Sequence, residues 1–300
     1  MRTQLSCAAL AASLAFAVFA PTAQAQPPAA TPPAAAPLAI KPVKPGLYMV
    51  TGAGGNVTVR VTTDGLVVVD TKNNGQPIFD DLMGRIRSVS DQPVKWVIDT
   101  HHHADHTGNN ARFLAAGATV IGHENLSVQL GRLTPPPNGT VPAKPSMTYA
   151  ARYAVKLGGK TVELRHFAPA HTGGDTLVWF PDLKVVSTGD EFVIRPTGPN
   201  IDYGGGASVA GWIRSLDELF KLDWDTAIAG HGDDIYTRAD VVAFQTKMKT
   251  LLARAQAAVK AGATSQTLMS QVRTDDLWGF APTYWDPVRT AGLYAEAGGH

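Results

Sequence analysis

The 300-residue sequence contains a single cysteine, Cys7, and it lies in an N-terminal segment that we expect to be removed. Without Cys7 the remaining chain has no thiol, so it can form no disulfide and can offer no thiolate to a metal. Any metal site must then be built from nitrogen and oxygen ligands, which means histidine and carboxylate side chains.

Neither sign of charge is in large excess, because the sequence has 26 Lys and Arg residues and 25 Asp and Glu residues. Arg2 is the only charged residue among the first 25, so its removal leaves 25 against 25. A chain without a basic excess lacks the electrostatic footprint of a protein that binds nucleic acid or an anionic membrane. We therefore expect a small-molecule substrate and no nucleic-acid partner.

The sequence also has few long hydrophobic runs. The apolar run at residues 7–20 is shorter than the roughly 20 residues that a membrane-spanning helix needs. Arg2 precedes this run, and Ala23-Gln24-Ala25 follows it, which is the layout of a secretory signal peptide cleaved after Ala25. We expect a secreted or periplasmic protein without a stable membrane anchor after cleavage; a retained anchor is the alternative.

Two regions follow the predicted signal peptide of residues 1–25. Residues 26–42 consist largely of Pro and Ala, and such a segment cannot bury enough apolar surface to offset its ordering entropy. This composition predicts an extended linker. Residues 43–300 fit one domain, because the chain is 44% hydrophobic and 17% charged, as is ordinary for a globular protein.

Local patterns predict a strand-rich block followed by helices, twice. Runs of β-branched residues between glycine-containing turns predict strands at residues 47–51, 57–62, 66–70, 94–98, 119–121, 153–157, 161–167, 176–180, 185–188 and 226–229. Helices are predicted at residues 77–88, 109–116, 124–130, 207–220 and 238–261, and a loop at residues 133–146. The order suits two sheets packed face to face with helices outside, a four-layer α/β arrangement.

The most informative segment is a cluster of four histidines at residues 101–106, directly after a predicted buried strand. Functional sites in α/β folds collect at the carboxyl ends of strands. Residues two apart in an extended segment point the same way, so His101 and His103 can share one metal while His102 points elsewhere. Asp105 and His106 lie where the chain turns into a helix and can reach a second metal.

Three further candidate ligands follow other predicted strands. His171 lies in a Pro-Ala-His-Thr-Gly-Gly-Asp segment, Asp190 in Thr-Gly-Asp and His231 in Gly-His-Gly. Neighbouring glycines let the backbone pass close to a metal without a Cβ in the way.

With these motifs in this order, the chain resembles the metallo-β-lactamase superfamily from about residue 46 to residue 232. The resemblance implies a four-layer αββα metallo-β-lactamase fold and a site for two zinc ions, with iron or manganese as alternatives. It implies that His101, His103 and His171 hold one ion, that Asp105, His106 and His231 hold the other, and that Asp190 bridges them. A water between the ions would open the substrate, with Asp105 orienting it and moving its proton.

The resemblance also narrows the expected activity. The well-known metallo-β-lactamases carry Cys or Ser where this chain has Asp190, whereas glyoxalase II, lactonases and transfer-RNA maturation nucleases are similar to it in carrying Asp. Export and neutral charge disfavour the intracellular relatives. We expect a zinc hydrolase that opens a lactam, lactone or ester. The alternatives are a periplasmic metal-binding accessory or redox-relay protein, and a thioesterase or phosphodiesterase of the same superfamily.

Other polar residues have weaker signals. Asp70 ends an apolar strand, and a carboxylate at this place in the family supports the metal loop from outside. Asp99 could orient a ligand histidine or cap its strand. Arg195 and Tyr203 follow Asp190 on a loop rich in Gly and Pro, where they could bind a substrate.

Overall fold

The structure is a computed structural model, and it describes residues 37–135, 140–195, 198–280 and 284–299. The predicted signal peptide and most of the predicted linker lie outside these residues. The linker prediction extends too far, because Ala39–Lys44 forms a strand, β1, at the edge of a sheet. Edge strands tolerate a proline such as Pro42, so its presence did not exclude a strand. Within the described residues, no helix is both long and apolar enough to cross a membrane.

The first sheet contains seven strands in chain order. After β1 come β2 (Leu47–Thr51), β3 (Val57–Val61), β4 (Leu66–Val69), β5 (Val94–Ile98), β6 (Thr119–His123) and β7 (Met147–Tyr149). Strands β1 to β4 are antiparallel to one another, whereas β4, β5, β6 and β7 are parallel. The carboxyl ends of β4 and β5 therefore meet at one edge.

The second sheet contains six strands. They are β8 (Arg152–Leu157), β9 (Lys160–Arg165), β10 (Leu177–Phe180), β11 (Val185–Ser187), β12 (Thr226–Ile228) and β13 (Tyr236–Thr237). Strand β10 is antiparallel to both β9 and β11, and β11 is parallel to β12. Strands β9, β11 and β12 therefore run the same way, and the loops after them leave from the same edge.

Eight α-helices surround the sheets in the described residues. They are α1 (Gln76–Arg87), α2 (Ala104–Thr107), α3 (Asn110–Ala115), α4 (Glu124–Leu130), α5 (Val209–Leu219), α6 (Arg238–Lys260), α7 (Leu268–Gln271) and α8 (Pro287–Glu296). The sequence patterns missed the short β7, β13 and α7, and they also missed α8. Asp286 followed by Pro287 was a usable signal for α8, since Asp286 accepts the capping hydrogen bond from the Arg289 amide.

The buried side chains form three layers of apolar contact. Val67 and Val69 of β4 face the second sheet, while Leu66 and Val68 face α1 and α3 on the other side. A third cluster joins the far face of the second sheet to α5, α6 and the C-terminal helices. Because residues alternate between the two faces of a strand, one strand serves two layers. The predicted four-layer αββα fold is confirmed.

Candidate metal centre

The seven residues that the sequence predicts as metal ligands meet where the two sheets expose the carboxyl ends of their strands. Four of them follow β5, and the other three follow β9, β11 and β12. The structure brings their ligand atoms within 4.8 Å of one another in a first set, His101, His103 and His171, and a second set, Asp105, His106 and His231. His101, His106 and Asp190 also lie within 4.8 Å of one another and link the two sets.

The first set consists of three imidazoles. Nε2 of His101 lies 3.1 Å from Nδ1 of His103, and Nε2 of His171 lies 3.0 Å from that same Nδ1. Such spacing is that of donor atoms around one tetrahedral zinc ion, whose bonds to nitrogen are about 2.0–2.1 Å long.

The second set combines two imidazoles with one carboxylate. Nε2 of His106 lies 3.2 Å from Nε2 of His231, and Oδ2 of Asp105 lies 3.3 Å from the latter atom. His106 is fully buried, whereas the side chain of Asp105 is one-third exposed. The carboxylate of Asp105 is therefore at the mouth of the site, where a substrate can reach it.

Asp190 lies between the two sets. Its Oδ1 is 3.3 Å from Nε2 of His106 and 3.2 Å from Nε2 of His231, while its Oδ2 is 3.8 Å from Nε2 of His171. This Oδ1 is buried, and neither nitrogen has the geometry to form a hydrogen bond with it. A buried carboxylate oxygen without a partner is costly, and a cation between the sets would satisfy it.

Asp70 fixes two histidines from outside the site. Its Oδ2 accepts hydrogen bonds from Nδ1 of His106 at 2.7 Å and from the Thr100 hydroxyl at 2.8 Å. Since that hydroxyl donates to Asp70, its oxygen is free to accept from Nδ1 of His101, 3.1 Å away. Asp70 therefore lies where the predicted supporting carboxylate should be.

Two of the three remaining histidines, His103 and His171, are also held by acceptors on their outer nitrogens. Nδ1 of His171 donates to the carbonyl of Asn200 at 2.6 Å, and Nε2 of His103 donates to Oδ2 of Asp202 at 3.0 Å. No local pattern in the sequence singles out Asp202 as a residue that supports the metal ligands.

These outer bonds decide which ring nitrogens carry lone pairs. In His101, His103 and His171, an outer acceptor takes the N–H, so the inner nitrogen of each neutral ring presents a lone pair to the others. Lone pairs about 3 Å apart repel one another unless a cation lies between them. The residues therefore fit a metal, and their N and O donors suit zinc.

Burial and neighbouring charges set the pKa values of these groups in the metal-free chain. Burial lowers the pKa of His171 to about 3, and burial with the charge of His106 lowers the pKa of His101 well below its usual value. Burial opposes ionisation of Asp190, but His106 brings the pKa of that carboxyl well below its ordinary range. Neutral imidazoles beside an ionised carboxylate are the forms that bind a metal ion.

His106 differs from the other buried histidines. Burial opposes its charge, yet the carboxylates of Asp70 and Asp190 raise its pKa well above the usual value. Metal binding must therefore release a proton from this ring.

Two close approaches explain why glycine precedes His231 and faces His106. A Cβ on Gly230 would overlap Oδ1 of Asp190, and a Cβ on Gly55 would overlap the His106 ring.

Lys72, a residue that no local sequence pattern singles out, holds the loop of Gly55. Its buried ammonium donates to the carbonyls of Val50 at 2.8 Å and Gly55 at 2.7 Å.

The structure gives Arg195 and Tyr203 different positions. Nη2 of Arg195 lies 3.9 Å from Oδ2 of Asp190, so this side chain borders the site. The Tyr203 hydroxyl instead donates to Oε2 of Glu296 at 2.7 Å, and its ring lies against Gly292 of α8. Tyr203 therefore packs against α8, and its role in substrate binding stays a prediction.

Other polar residues near the cluster bind outside it. Asp99 accepts a hydrogen bond from Asn110 at 2.7 Å, and no hydrogen bond within the described residues joins it to a ligand histidine. His123 and His166 stack on each other with ring centres 3.8 Å apart. Nδ1 of His166 donates to the carbonyl of Asp175 at 2.7 Å, so this pair supports the loop of His171.

Replacement of His102 by alanine is expected to leave the metal content nearly unchanged. Nδ1 of His102 is buried without a partner, and its Nε2 is 3.5 Å from Oδ2 of Asp202, outside the two inner sets. His102, His103 and Asp202 nevertheless form a possible set of their own. Elemental analysis of His102→Ala beside His103→Ala distinguishes the two arrangements. Loss of an ion from His102→Ala would show that His102 is a ligand.

Replacement of Asp202 by asparagine is expected to weaken one metal site by about 10- to 100-fold, because an amide orients and polarises the His103 ring less well than a carboxylate. Burial opposes ionisation of Asp202, but its hydrogen bond with His103 brings the pKa of this carboxyl to about 2. Competition with a chromophoric chelator measures both zinc affinities. The exposed Asp217→Asn is the control, and equal affinities in Asp202→Asn and the unsubstituted chain would refute the role.

The chain belongs to the metallo-β-lactamase superfamily, because the model of that family matches residues 50–231, more than half of the chain. The chain is 30% identical over 140 residues to the α subunit of 2,4-dinitroanisole O-demethylase from Nocardioides sp. (strain JS1661), a match covering 47% of this chain and 41% of the relative. It is 30% identical over 142 residues to hydroxyacylglutathione hydrolase from Brucella ovis, a match covering 45% of this chain and 49% of the relative. The matches thus span less than half the length of these curated relatives.

Solved structures share the fold. A metallo-β-lactamase from Pontibacter korlensis matches with a TM-score of 0.60 at 18% identity, over 71% of this chain and 99% of its own. A stereoselective inverting sec-alkylsulfatase from Pseudomonas sp. matches with a TM-score of 0.66 at 18% identity, over 86% of this chain and 50% of its own. Family, fold and the clusters of His and Asp together assign the chain to a superfamily of metallo-hydrolases.

Proposed function

We propose that the chain is an exported hydrolase with two zinc ions that opens a lactam, lactone or ester of a small molecule. The observation that carries the proposal is the convergence of six donors in two adjoining sets, with a buried Asp190 oxygen between them that makes no hydrogen bond. His101, His103 and His171 would hold one ion, and Asp105, His106 and His231 the other. Two bound ions would lower the pKa of a shared water to near neutrality and polarise the carbonyl under attack.

The side chain of Asp105 is placed to handle the proton of that water. Burial opposes its ionisation, but the hydrogen bond to His231 and the charge of His106 lower the pKa of Asp105 to about 2. Asp105 is thus a carboxylate at neutral pH, and it is open to solvent on one side. With the ions bound, it would accept a hydrogen bond from the attacking water and pass the proton to the departing oxygen or nitrogen.

The comparisons support hydrolysis without choosing the bond. The similar proteins are named as a β-lactamase, a hydroxyacylglutathione hydrolase, an alkylsulfatase and an O-demethylase subunit. Asp190 favours esters and lactones over β-lactams, because the resemblance to the well-known β-lactamases ends at this residue. The hydroxyacylglutathione hydrolase relative makes a thioester the second candidate substrate.

A substrate panel tests the proposal. The full chain is supplied with zinc and assayed with nitrocefin, an aryl ester, a γ-lactone, a thioester and a phosphodiester, each with and without a chelator. Chelator-sensitive turnover of an ester, lactone or lactam is the expected result. Turnover of the thioester or phosphodiester alone would move the assignment to that bond, and a zinc-loaded chain inert to all five would favour a metal-binding accessory protein.

Export rests on the N-terminal sequence alone. Expression of the full chain in a Gram-negative host, followed by N-terminal sequencing of the periplasmic fraction, should give a mature chain that begins at Gln26. Uncleaved protein retained in the cytoplasm or membrane would refute this part of the proposal.

A further inference from the structure

A cavity of about 150 Å³ lies beside the metal centre, between the segment that follows Asp190 and helix α6. Its lining combines apolar and charged side chains: Val193, Ile194, Arg195, Asp240, Ala243, Phe244, Lys247 and Trp278. The α6 residues and Trp278 lie beyond the match to the family model, which ends at residue 231. This half of the cavity therefore belongs to the C-terminal part of the chain.

Arg195 connects the cavity to the metal centre. It lines the cavity, and its Nη2 lies 3.9 Å from Oδ2 of Asp190. Phe192 packs against Phe244 with ring centres 5.6 Å apart, so the segment after Asp190 is fixed on α6. A molecule with its reacting bond at the metal ligands can thus extend one side-chain length into the cavity.

The walls of the cavity suit one ring or a short alkyl group. Phe244 and Trp278 meet edge to face with ring centres 5.8 Å apart, and Ile194 is 49% exposed. A dry engineered cavity of about 150 Å³ is known to take one benzene molecule. An exposed isoleucine beside two aromatic rings is a favourable surface for an apolar group.

The charges of the cavity favour an anion. The ammonium of Lys247 lies 5.6 Å from the centre of the Trp278 ring, and Arg195 is on the side of the metal centre. Asp240 is the one acidic lining residue among those described, and its Oδ2 accepts hydrogen bonds from the amide and hydroxyl of Thr237 at 2.8 and 2.7 Å. The lining residues thus include two cations and one carboxylate, and that carboxylate already has hydrogen-bond partners.

We propose that this cavity binds a negatively charged substituent of the substrate that carries one ring or a short alkyl group. The apolar part lies against Phe244 and Trp278, and the anion lies between Arg195 and Lys247. The inference rests on the proposed function, and it makes the substrate an anionic ester, lactone or lactam.

Binding of benzenesulfonate to the full chain tests the subsite without turnover. Benzenesulfonate is a single ring with an anion that coordinates metals weakly, and methyl phenyl sulfone is its neutral counterpart. Isothermal titration should show benzenesulfonate binding about tenfold more tightly than the sulfone, since hydrogen bonds to charged groups contribute about 1.5–3 kcal/mol. Equal affinities would overturn the proposal.

Three variants locate the binding. Lys247→Gln should weaken benzenesulfonate binding about tenfold and leave the sulfone unaffected. Lys249→Gln, on the same helix but paired with Asp217 at 3.3 Å, is the control and should change neither affinity. Ala243→Phe, at an exposed position of α6, should fill the cavity and abolish binding of both molecules. Lys247→Gln and Ala243→Phe with unchanged affinities would place the ligand elsewhere.

The binding result is separate from the hydrolase assay. Benzenesulfonate binding that is sensitive to Lys247, in a chain that hydrolyses nothing, would uphold the subsite and refute the hydrolase. Chelator-sensitive hydrolysis with no preference for the anionic probe would uphold the hydrolase and refute the subsite.

Discussion

Replacement of Asp190 by alanine lowers the zinc content toward one ion per chain and decreases kcat/KM by about 10²–10³-fold or more. The reason is position: Asp190 Oδ1 lies 3.2–3.3 Å from the inner nitrogens of His106 and His231, and its other oxygen faces His171. Alanine leaves both sets of donors in place but removes the carboxylate that, among the described residues, lies between them. Elemental analysis and steady-state kinetics on the same sample measure both effects.

Asp234→Ala is the matched control, because Asp234 is an exposed carboxylate only three residues from His231. It should retain two ions and the full rate. An Asp190→Ala protein that also keeps two zinc ions and an unchanged rate would contradict the bridging position.

Replacement of Asp105 by asparagine decreases kcat by about 10²–10⁴-fold, the range that a positioned acid–base group contributes. Asparagine keeps the shape of the side chain and can still offer one oxygen to His231, 3.3 Å away, but it cannot take a proton. Because the rate loss arises in proton transfer, we expect kcat to fall more than KM rises. Stopped-flow or steady-state assays with the best substrate of the panel give this separation.

Asp234→Asn is the control for the loss of a carboxylate near the site. Measurement of bound zinc must accompany the kinetics, since Asp105 also belongs to the second set. If Asp105→Asn retains kcat with two ions bound, Asp105 is a ligand alone and the proton moves by another route.

Strand geometry accounts for part of the predicted ligand set, whereas the division of the seven residues between two ions follows from the resemblance to the family. Alternation in an extended segment separates His101 and His103 from His102, and the structure directs the inner nitrogens of the first two toward His171. Asp190 and His231 also meet at one edge of a sheet, because the strands that precede them, β11 and β12, are parallel. These inferences need only the period of a strand and the direction of its neighbours.

Residues that act from a distance are harder to predict. Asp202 contacts His103 across 99 positions of the chain, on a loop whose path no local pattern fixes. Lys72 is fully buried, whereas a lysine beside a strand end is ordinarily read as exposed. Its burial lowers its pKa to about 7, a value that only the surrounding structure explains.

Tyr203 shows the limit of placing a side chain from its loop. It lies one residue after Asp202 in the chain, yet its ring turns away to α8 and its hydroxyl bonds to Glu296. This contact could not be predicted, because α8 itself was not predicted. A correct prediction of the helix that begins after Asp286 would have offered Tyr203 a packing partner.

Zinc titration of the chelator-treated full chain, followed by elemental analysis at saturation, tests the central claim most directly. We expect two zinc ions per chain, bound by nitrogen and oxygen donors alone. A chain that binds one ion or none at saturating zinc, while its circular dichroism shows it folded, would contradict the two-metal centre.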